Sequence, residues 1–320
     1  MKNKIIKTLL VCGFVLGVAY VYNKNQKDEK TPVANIVYTK ENNYKEVVFQ
    51  DESQTLIPVN IEVSPGESLE QEVTNIISIM KTKPTNFKGL YPVINEDISI
   101  NSVSLNNGLL TLDFSEGLMN LTKESSLNFL EALTWTLCNY KDIEELHLTC
   151  NNNEVTNLPE SYISLSQNYN HSLGLNNFES VNAYLHKTNA LVVYANKVID
   201  QQLFYVPMTR RINTNNLEIK DKVAMLLKQT SISSLLKENE ILSELEVLEG
   251  TEISDGKLTV NLNDRALLDE MSLNPQVSDL LMLSLRQLDG VETIAFEVNG
   301  EAIGQDEIVS KEIVYNVVAL

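Results

Sequence analysis

An internal repeat constrains the fold of this chain more than any other feature of its sequence. The stretch LLTLDFSEGL, from Leu109 to Leu118, returns 148 residues later as KLTVNLNDRALL, from Lys257 to Leu268. Apolar and polar residues alternate in both copies, a pattern that is typical of a strand with one face in a core. A turn sequence, NNG or SDG, precedes each strand and follows another apolar run. Each copy is therefore predicted to contain a β-hairpin.

The same offset relates a helix and a later strand in the two copies. Apolar residues at spacings of three and four predict the helix. Alternation of apolar and polar residues predicts the strand. An earlier helix and a proline-marked edge strand precede the hairpin in each copy. The matched helix positions are Phe129, Ala132, Leu133, Thr136, Leu137 and Tyr140 in the first copy, and Val277, Leu280, Leu281, Ser284, Leu285 and Leu288 in the second.

These elements predict an α+β fold made of two repeated small α/β sandwich domains. Each unit has the order strand, strand, helix, hairpin, helix, strand, with the helices packed on one face of a mixed sheet. A chain of 320 residues with 43% apolar residues is long enough for two such cores. The predicted domains span residues 37–158 and 191–320, and a packed connector of residues 159–190 joins them.

The N-terminal segment is predicted to attach the chain to a membrane. Lysines precede the apolar run TLLVCGFVLGVAYVY, so residues 1–22 are interpreted as an uncleaved signal anchor, followed by a flexible tether of residues 23–36. This orientation makes the protein a single-pass membrane protein with most of its chain outside the cytoplasm. The alternatives are a lipid-modified Cys12 and a cleaved export signal.

Charge and side-chain chemistry argue against several functional classes. The net charge of -18 would repel nucleic-acid phosphates. The three histidines His147, His171 and His186 lack the spacing of a metal site, and the chain has neither a GxSxG motif nor a phosphate-binding glycine loop. We therefore expect no enzymatic activity, with no catalytic residues, no cofactor and no metal. Cys138 and Cys150 are expected to be free thiols, because their repeat positions imply different environments.

The motifs of the first copy resemble those of a known family. The sequences IPV, SVSLNNGLLTLDFSEGL and LTWTLCNYKDIEELHLTCNNNEV, in this order, resemble the GerM (sporulation and spore germination) domain, and the second copy resembles a more divergent one. The resemblance covers residues 47–158 and 191–304. It implies an envelope protein of sporulating cells, acting between the membranes of mother cell and forespore together with other sporulation envelope proteins. It also implies a fold similar to ring-building modules.

Two functional hypotheses follow from this resemblance. The first is a non-catalytic scaffold that assembles into a ring as a homo-oligomer, with Trp135 and Leu283 as candidate interface residues because both lie off the sheet-facing stripe of their helices. For Trp135 the alternative is packing against the connector of its own chain. The second hypothesis is a module that binds cell-wall material or regulates a wall-remodelling enzyme. An aromatic-lined polar pocket would favour wall binding, and a flat apolar helix face would favour assembly.

The Asp-Phe-Ser sequence of the first copy is interpreted as structural. Across the repeat Asp113 becomes Asn261 and Ser115 becomes Asn263, so charge and hydroxyl are lost while a short hydrogen-bonding side chain is kept. We interpret all of these residues as caps of a strand-to-helix turn. This interpretation predicts that Asp113→Asn is nearly silent and that Asp113→Ala lowers stability by about 1 kcal/mol.

Overall fold

The structure is a computed structural model that describes residues 36–39, 44–64, 66–161, 163–165, 167–177, 189–212, 217–233, 240–269, 272–309 and 313–319. The predicted anchor of residues 1–22, nearly all of the tether, Cys12 and His186 lie outside these ranges. Within them, no helix combines the length and the apolar character needed to cross a membrane.

The first repeat follows the predicted order of elements. A hairpin of two strands leads into a helix, a second hairpin, a second helix and a final strand. The elements are β1 (Ile36–Tyr38), β2 (Tyr44–Gln50), β3 (Leu56–Glu62), α1 (Leu69–Met80), β4 (Ile100–Asn106), β5 (Leu109–Phe114), α2 (Lys123–Leu137), β6 (Glu145–Cys150) and β7 (Asn153–Glu154).

The second repeat has the same order with three additional elements, α4, β12 and β13, and ends in a short C-terminal strand. Strands β11 and β14 occupy the positions of β5 and β6 at the offset of 148 residues. The elements are β8 (Asn189–Ile199), β9 (Gln202–Ile212), α3 (Ile219–Ser233), α4 (Glu240–Glu244), β10 (Glu252–Ser254), β11 (Lys257–Leu262), β12 (Leu267–Asp269), β13 (Ser272–Leu273), α5 (Pro275–Leu285), β14 (Thr293–Val298), β15 (Glu301–Val309) and β16 (Ile313–Tyr315).

The first repeat has two sheets where the sequence predicts one, and the second repeat has a third, the two-stranded sheet β12–β13. A four-stranded mixed sheet has the order β4-β5-β6-β7 in the first repeat and β10-β11-β14-β15 in the second, with a parallel pair at its centre. The hairpins β2–β3 and β8–β9 form separate two-stranded sheets. The prediction of a single sheet in each repeat is therefore wrong. The helices pack against strands of both sheets, since α2 contacts β2 and β6, and α3 contacts β8 and β10.

Helix α2 is buried around almost its whole circumference because it lies between these two sheets. It begins at a capping box, in which Thr122 and Ser125 satisfy each other's backbone N–H groups. Phe129 and Leu133 of the predicted stripe are buried, and so are Trp135 and Glu131 outside it. The helix ends at Leu137, so Tyr140 lies in the turn that follows rather than on the helix.

The two repeats meet along β3 and β9, where two asparagine side chains replace missing strand partners. Asn176 Oδ1 accepts from Leu56 N at 2.8 Å, and its Nδ2 donates to the carbonyls of Leu56 at 2.8 Å and Pro207 at 2.9 Å. Asn316 makes the equivalent hydrogen bonds from the other side. Its Oδ1 accepts from Tyr205 N at 2.8 Å, and its Nδ2 donates to the carbonyls of Tyr205 and Pro58 at 2.7 Å. The contact therefore has approximate two-fold symmetry.

The C-terminal strand and several polar contacts also join the repeats. Strand β16 pairs with β1 antiparallel, and Asn60 of β3 exchanges backbone hydrogen bonds with the segment after β16. Lys197 of β8 forms an ion pair with Asp51, which is 7% exposed, and donates to Thr55 Oγ1 at 2.9 Å. The chain from Ala34 onward accordingly forms a single unit that contains both repeats.

The connector packs against the repeats over the part that the structure describes. Ile163, Leu165, Leu173 and Leu175 are buried, as their apolar character leads us to expect. Tyr162 and Phe178, two other apolar residues of this segment, lie outside the described residues.

Candidate functional site

Asp113 supports a turn, but a different turn from the predicted one. Its carboxylate is buried in β5 and accepts from Asn152 N at 2.7 Å, in the turn between β6 and β7. Thr149 Oγ1 donates to it at 2.7 Å and Asn101 Nδ2 at 2.9 Å. Burial alone would raise the pKa of Asp113, but these hydrogen bonds hold it below its ordinary value.

Asn261 makes the equivalent contact in the second repeat. Its Oδ1 accepts from Gly300 N at 3.0 Å, in the turn between β14 and β15, and its Nδ2 donates to Glu249 O at 2.6 Å. The side chain at this position, Asp113 or Asn261, therefore joins two neighbouring strand ends. Contrary to the prediction from the sequence, it does not cap the strand-to-helix turn.

Ser115 and Asn263 occupy the predicted cap positions without acting as side-chain caps. Each precedes a short 3-10 helix, and neither side chain bonds to that helix. Ser115 Oγ accepts from Ser99 N at 3.0 Å, and Asn263 Nδ2 donates to Glu244 O at 2.9 Å. Both residues therefore tie their strand to the preceding loop.

The described residues contain no cluster of three or more His, Cys, Asp or Glu side chains that could hold a metal ion. His147 lies on β6 with its ring nitrogen 3.1 Å from Glu154 Oε1. Cys138 and Cys150 are both free thiols in the structure. Burial raises the pKa of Cys138 to about 12, so this thiol stays protonated at neutral pH.

Trp135 and Leu283 are buried inside the chain, which corrects their interpretation as interface residues between chains. They are 4% and 1% exposed. The Trp135 indole stacks on the His171 ring of the connector, with ring centroids 4.3 Å apart, and donates from Nε1 to Glu46 Oε1 at 2.5 Å. Packing against the connector, the alternative for Trp135, is therefore what the structure contains.

Both residues line a cleft between the two repeats, with a volume of about 1390 Å³. One wall consists of β2 and the end of α2, and the other consists of β8 and the end of α5. The connector contributes His171 and Ser172, and β16 contributes Ile313 and Tyr315. Other lining residues include Tyr44, Lys45, Glu46, Tyr140, Lys141, Ala190, Val192, Tyr194, Arg286 and Gln287.

The two walls are built alike because they come from equivalent parts of the repeat. Val48 N donates to Thr136 Oγ1 at 3.2 Å in the first repeat, and Tyr194 N donates to Ser284 Oγ at 3.3 Å in the second. This correspondence places Glu46 opposite its equivalent Val192, and Cys138 opposite its equivalent Arg286. The cleft therefore has an acidic position on one wall and a basic position on the other, neither repeated on the opposite wall.

A group of aromatic and charged side chains forms the floor of the cleft. Tyr194 and Tyr315 are buried with their hydroxyl oxygens 3.4 Å apart, and their rings meet edge to face. Burial raises the pKa of both phenols. The Arg286 guanidinium lies over the Tyr315 ring at 5.1 Å and donates to Ile313 O at 3.1 Å. These contacts hold a cation at a fixed position in the cleft.

A second charged group lies one turn before Trp135 on α2, where the connector meets β9. Glu131 is 1% exposed and accepts from Asn177 Nδ2 at 2.8 Å. Burial raises the pKa of Glu131 to about 7, although the Asn177 amide and the charge of Arg211 act in the opposite direction. Arg211 donates to the carbonyls of Ser172 at 2.6 Å and Leu173 at 3.0 Å.

The sequence singles out Trp135 and Leu283 among the cleft residues, but not Glu46 or Arg286. Glu46 and Arg286 are single charged positions in two distant segments, and no motif distinguishes them. The available signal was the repeat itself, because aligning the copies reveals where a charge has no counterpart in the other copy.

Comparison with known proteins assigns both repeats to one kind of domain. The family model described as Germane, sporulation and spore germination, matches residues 20–156 and 192–304. The spore germination protein GerM of Bacillus subtilis (strain 168) is 22% identical over 289 residues, 87% of this chain and 78% of that protein. The solved tandem GerMN domains of the Bacillus subtilis sporulation protein GerM match with a TM-score of 0.70 at 20% identity, covering 83% of this chain and 96% of that one.

Proposed function

Because this chain belongs to the Germane family of sporulation and spore germination proteins, we propose that it is a non-catalytic envelope component of sporulation or germination. In this proposal residues 1–22 attach it to the cell membrane and both repeats lie outside the cytoplasm. Its partners are the cell wall and other envelope proteins of the sporulating cell.

We propose further that the protein binds cell-wall material in the cleft between its repeats, or regulates a wall-remodelling enzyme through this cleft. The cleft is the observation that carries this proposal. It is concave, it has polar groups on both walls, and aromatic rings form its floor, which are the usual features of a ligand site. Among the described residues the exposed large apolar side chains are Met119 and Val198, at 45% each. Two such residues are too few for a flat apolar assembly face.

Assembly remains a second candidate because one sheet edge is open. Strand β4 has seven residues, lies at the outer edge of its four-stranded sheet and is only partly buried. An edge strand of this kind can pair with a strand of another chain. A ring between the mother-cell and forespore membranes would also need a second, different surface complementary to this edge.

Co-sedimentation with purified peptidoglycan tests the wall-binding proposal directly. The full-length protein in detergent micelles is expected to sediment with the wall material while light scattering gives the mass of a monomer. Ala190→Trp, which places a large side chain in the cleft, should abolish sedimentation. Val198→Trp is the matched control, because Val198 lies on the same strand but is exposed and does not line the cleft. Failure of the wild type to sediment, or equal sedimentation of both variants, would overturn the proposal.

A further inference from the structure

Glu46 and Arg286 attract each other across the cleft but form no ion pair. Glu46 belongs to β2 and Arg286 follows α5, and no carboxylate oxygen of Glu46 lies within 4 Å of an Arg286 nitrogen. Both side chains are only partly buried, so a ligand can reach them. An acid and a base that face one cleft without contact leave room for a group that binds both.

Glu46 is oriented by hydrogen bonds and forms no ion pair within 4 Å among the described residues. Its Oε1 accepts from Trp135 Nε1 at 2.5 Å and from Asn139 Nδ2 at 3.5 Å. The neighbouring Lys45 is directed to Glu72, 3.7 Å away, and to the Tyr140 ring, 4.4 Å away. Glu46 therefore presents a fixed carboxylate that can accept further hydrogen bonds from a ligand ammonium group.

Arg286 is fixed in a similar way and keeps donors for a ligand. The Ile313 carbonyl takes one of its N–H groups, and the Tyr315 ring supports the guanidinium plane. A guanidinium carries several further N–H donors in a planar fork that matches the geometry of a carboxylate. A carboxylate that enters the cleft can thus pair with Arg286 beside the Tyr194 and Tyr315 hydroxyl groups.

We propose that the cleft binds an α-amino carboxylate, with its carboxylate on Arg286 and its ammonium group on Glu46. This inference rests on the proposed function and names the chemistry of its ligand. A free amino acid carries this zwitterionic group, and so does a cell-wall peptide whose diamino acid has an unlinked end. Both sources share the recognised chemistry, and the experiment below separates them.

Trp135 supplies the readout because it is the only tryptophan of the chain and it donates to Glu46. Titrations follow its emission in the full-length protein in detergent. The probes are alanine, N-acetylalanine, alanine amide, a soluble wall fragment with a free amino carboxylate on its peptide, and the same glycan without peptide. The two alanine derivatives each lack one of the two charges.

We expect saturable emission changes with alanine or with the peptide-bearing wall fragment. Binding of N-acetylalanine and alanine amide should be weaker by about ten-fold or more, because each leaves either Glu46 or Arg286 without its charged partner on the ligand. A response to alanine identifies free amino acids as sufficient, and a response to the wall fragment alone identifies the wall peptide as the source. The glycan without peptide should give no response.

Variants test the two charges separately. Glu46→Gln, which preserves the acceptor for Trp135, and Arg286→Lys, which preserves the charge but not the planar fork, should each weaken binding by about ten-fold or more. Glu249→Gln and Arg265→Lys change exposed charges outside the cleft and should bind like the wild type. Thermal melting of each variant identifies any that fails to fold.

The outcomes distinguish this inference from the proposed function. Flat titrations with alanine and the wall fragment, while the wild type still sediments with peptidoglycan, would overturn the zwitterion site and leave wall binding intact. Equal binding by alanine and its two derivatives would also overturn it. If alanine gives a saturable response but the protein does not sediment with peptidoglycan, the zwitterion site is supported and the wall-binding proposal is contradicted.

Discussion

Asn176 and Asn316 perform the same task on opposite sides of the contact between the repeats. Both have a left-handed backbone with φ of 51°, and each bonds the N–H and C=O of one strand and the proline carbonyl of the other. Asn176 lies in the connector and Asn316 follows β16. The connector and the segment after β16 therefore both stabilise the contact between the repeats.

Loss of the Asn316 amide should destabilise the whole described unit. Asn316→Gly keeps the left-handed backbone but removes three hydrogen bonds to buried backbone groups, and we expect a loss of about 3 kcal/mol. Chemical denaturation of the full-length protein measures this change. Asn153→Gly is the control, because its amide is exposed and contacts only its own turn. A loss no larger than in the control would contradict the role of Asn316.

The contacts of Asp113 change what its substitution should do. In Asp113→Asn one oxygen becomes an amide that faces the Asn101 amide, so we expect a loss of about 1 kcal/mol instead of a silent change. Asp113→Ala should cost about 3 kcal/mol because Thr149 and the Asn152 N–H lose this acceptor and Asn101 loses one of its three. Removing the opposing amide with Asn101→Ala should make Asp113→Asn nearly neutral in a double-mutant cycle. The same loss in both backgrounds would refute this explanation.

Glu131 should make stability depend on pH between about 4.5 and 7. Its pKa is raised by burial from 4.5 to about 7, so the folded state holds a proton that the unfolded state has released. The stabilisation is complete below pH 4.5 and decreases as pH rises through this window, by up to about 3 kcal/mol. Glu131→Gln should therefore equal the wild type near pH 4.5 and exceed it in stability at pH 8.

Denaturation of both proteins across this pH range checks the prediction. Glu124→Gln, on the exposed face of the same helix, is the control and should parallel the wild type at every pH. A constant difference between Glu131→Gln and the wild type from pH 4.5 to 8 would mean that Glu131 does not titrate in this window.

Trp135 should affect folding and not self-association. Trp135→Leu introduces the residue of the second repeat at this position, but it removes the Glu46 hydrogen bond and the His171 stacking. We expect a stability loss of about 2 kcal/mol with an unchanged mass by light scattering. A changed mass with an unchanged melting temperature would restore Trp135 as an interface residue between chains.

The sequence predicts those parts of the fold that depend on local pattern. Strands β5 and β11, and β6 and β14, lie where the alternation and the offset place them, and the chain has the α+β fold of tandem GerM-type repeats. Periodicity also identifies Val73, Ile76 and Ile77 as the buried face of α1. These features follow from residues that are close in sequence.

The partners of these elements are not a local property, so the sequence leaves the partner of Trp135 open. The off-stripe position of Trp135 correctly indicates a second contact, but the pattern is the same whether a connector or another chain provides it. Likewise, nothing near Asn316 indicates that it bonds to Pro58, which is 258 residues away. The cleft could not be predicted because its walls come from segments that meet only through these distant contacts.

Hydrogen–deuterium exchange with a soluble wall fragment tests the central claim, that the cleft between the repeats is the binding surface. We predict that addition of the ligand slows exchange in β2, in β8 and in the segment after α5 that contains Arg286, and leaves exchange in β4 unchanged. Slower exchange at β4 with an unchanged cleft would contradict the account and favour assembly through the open sheet edge.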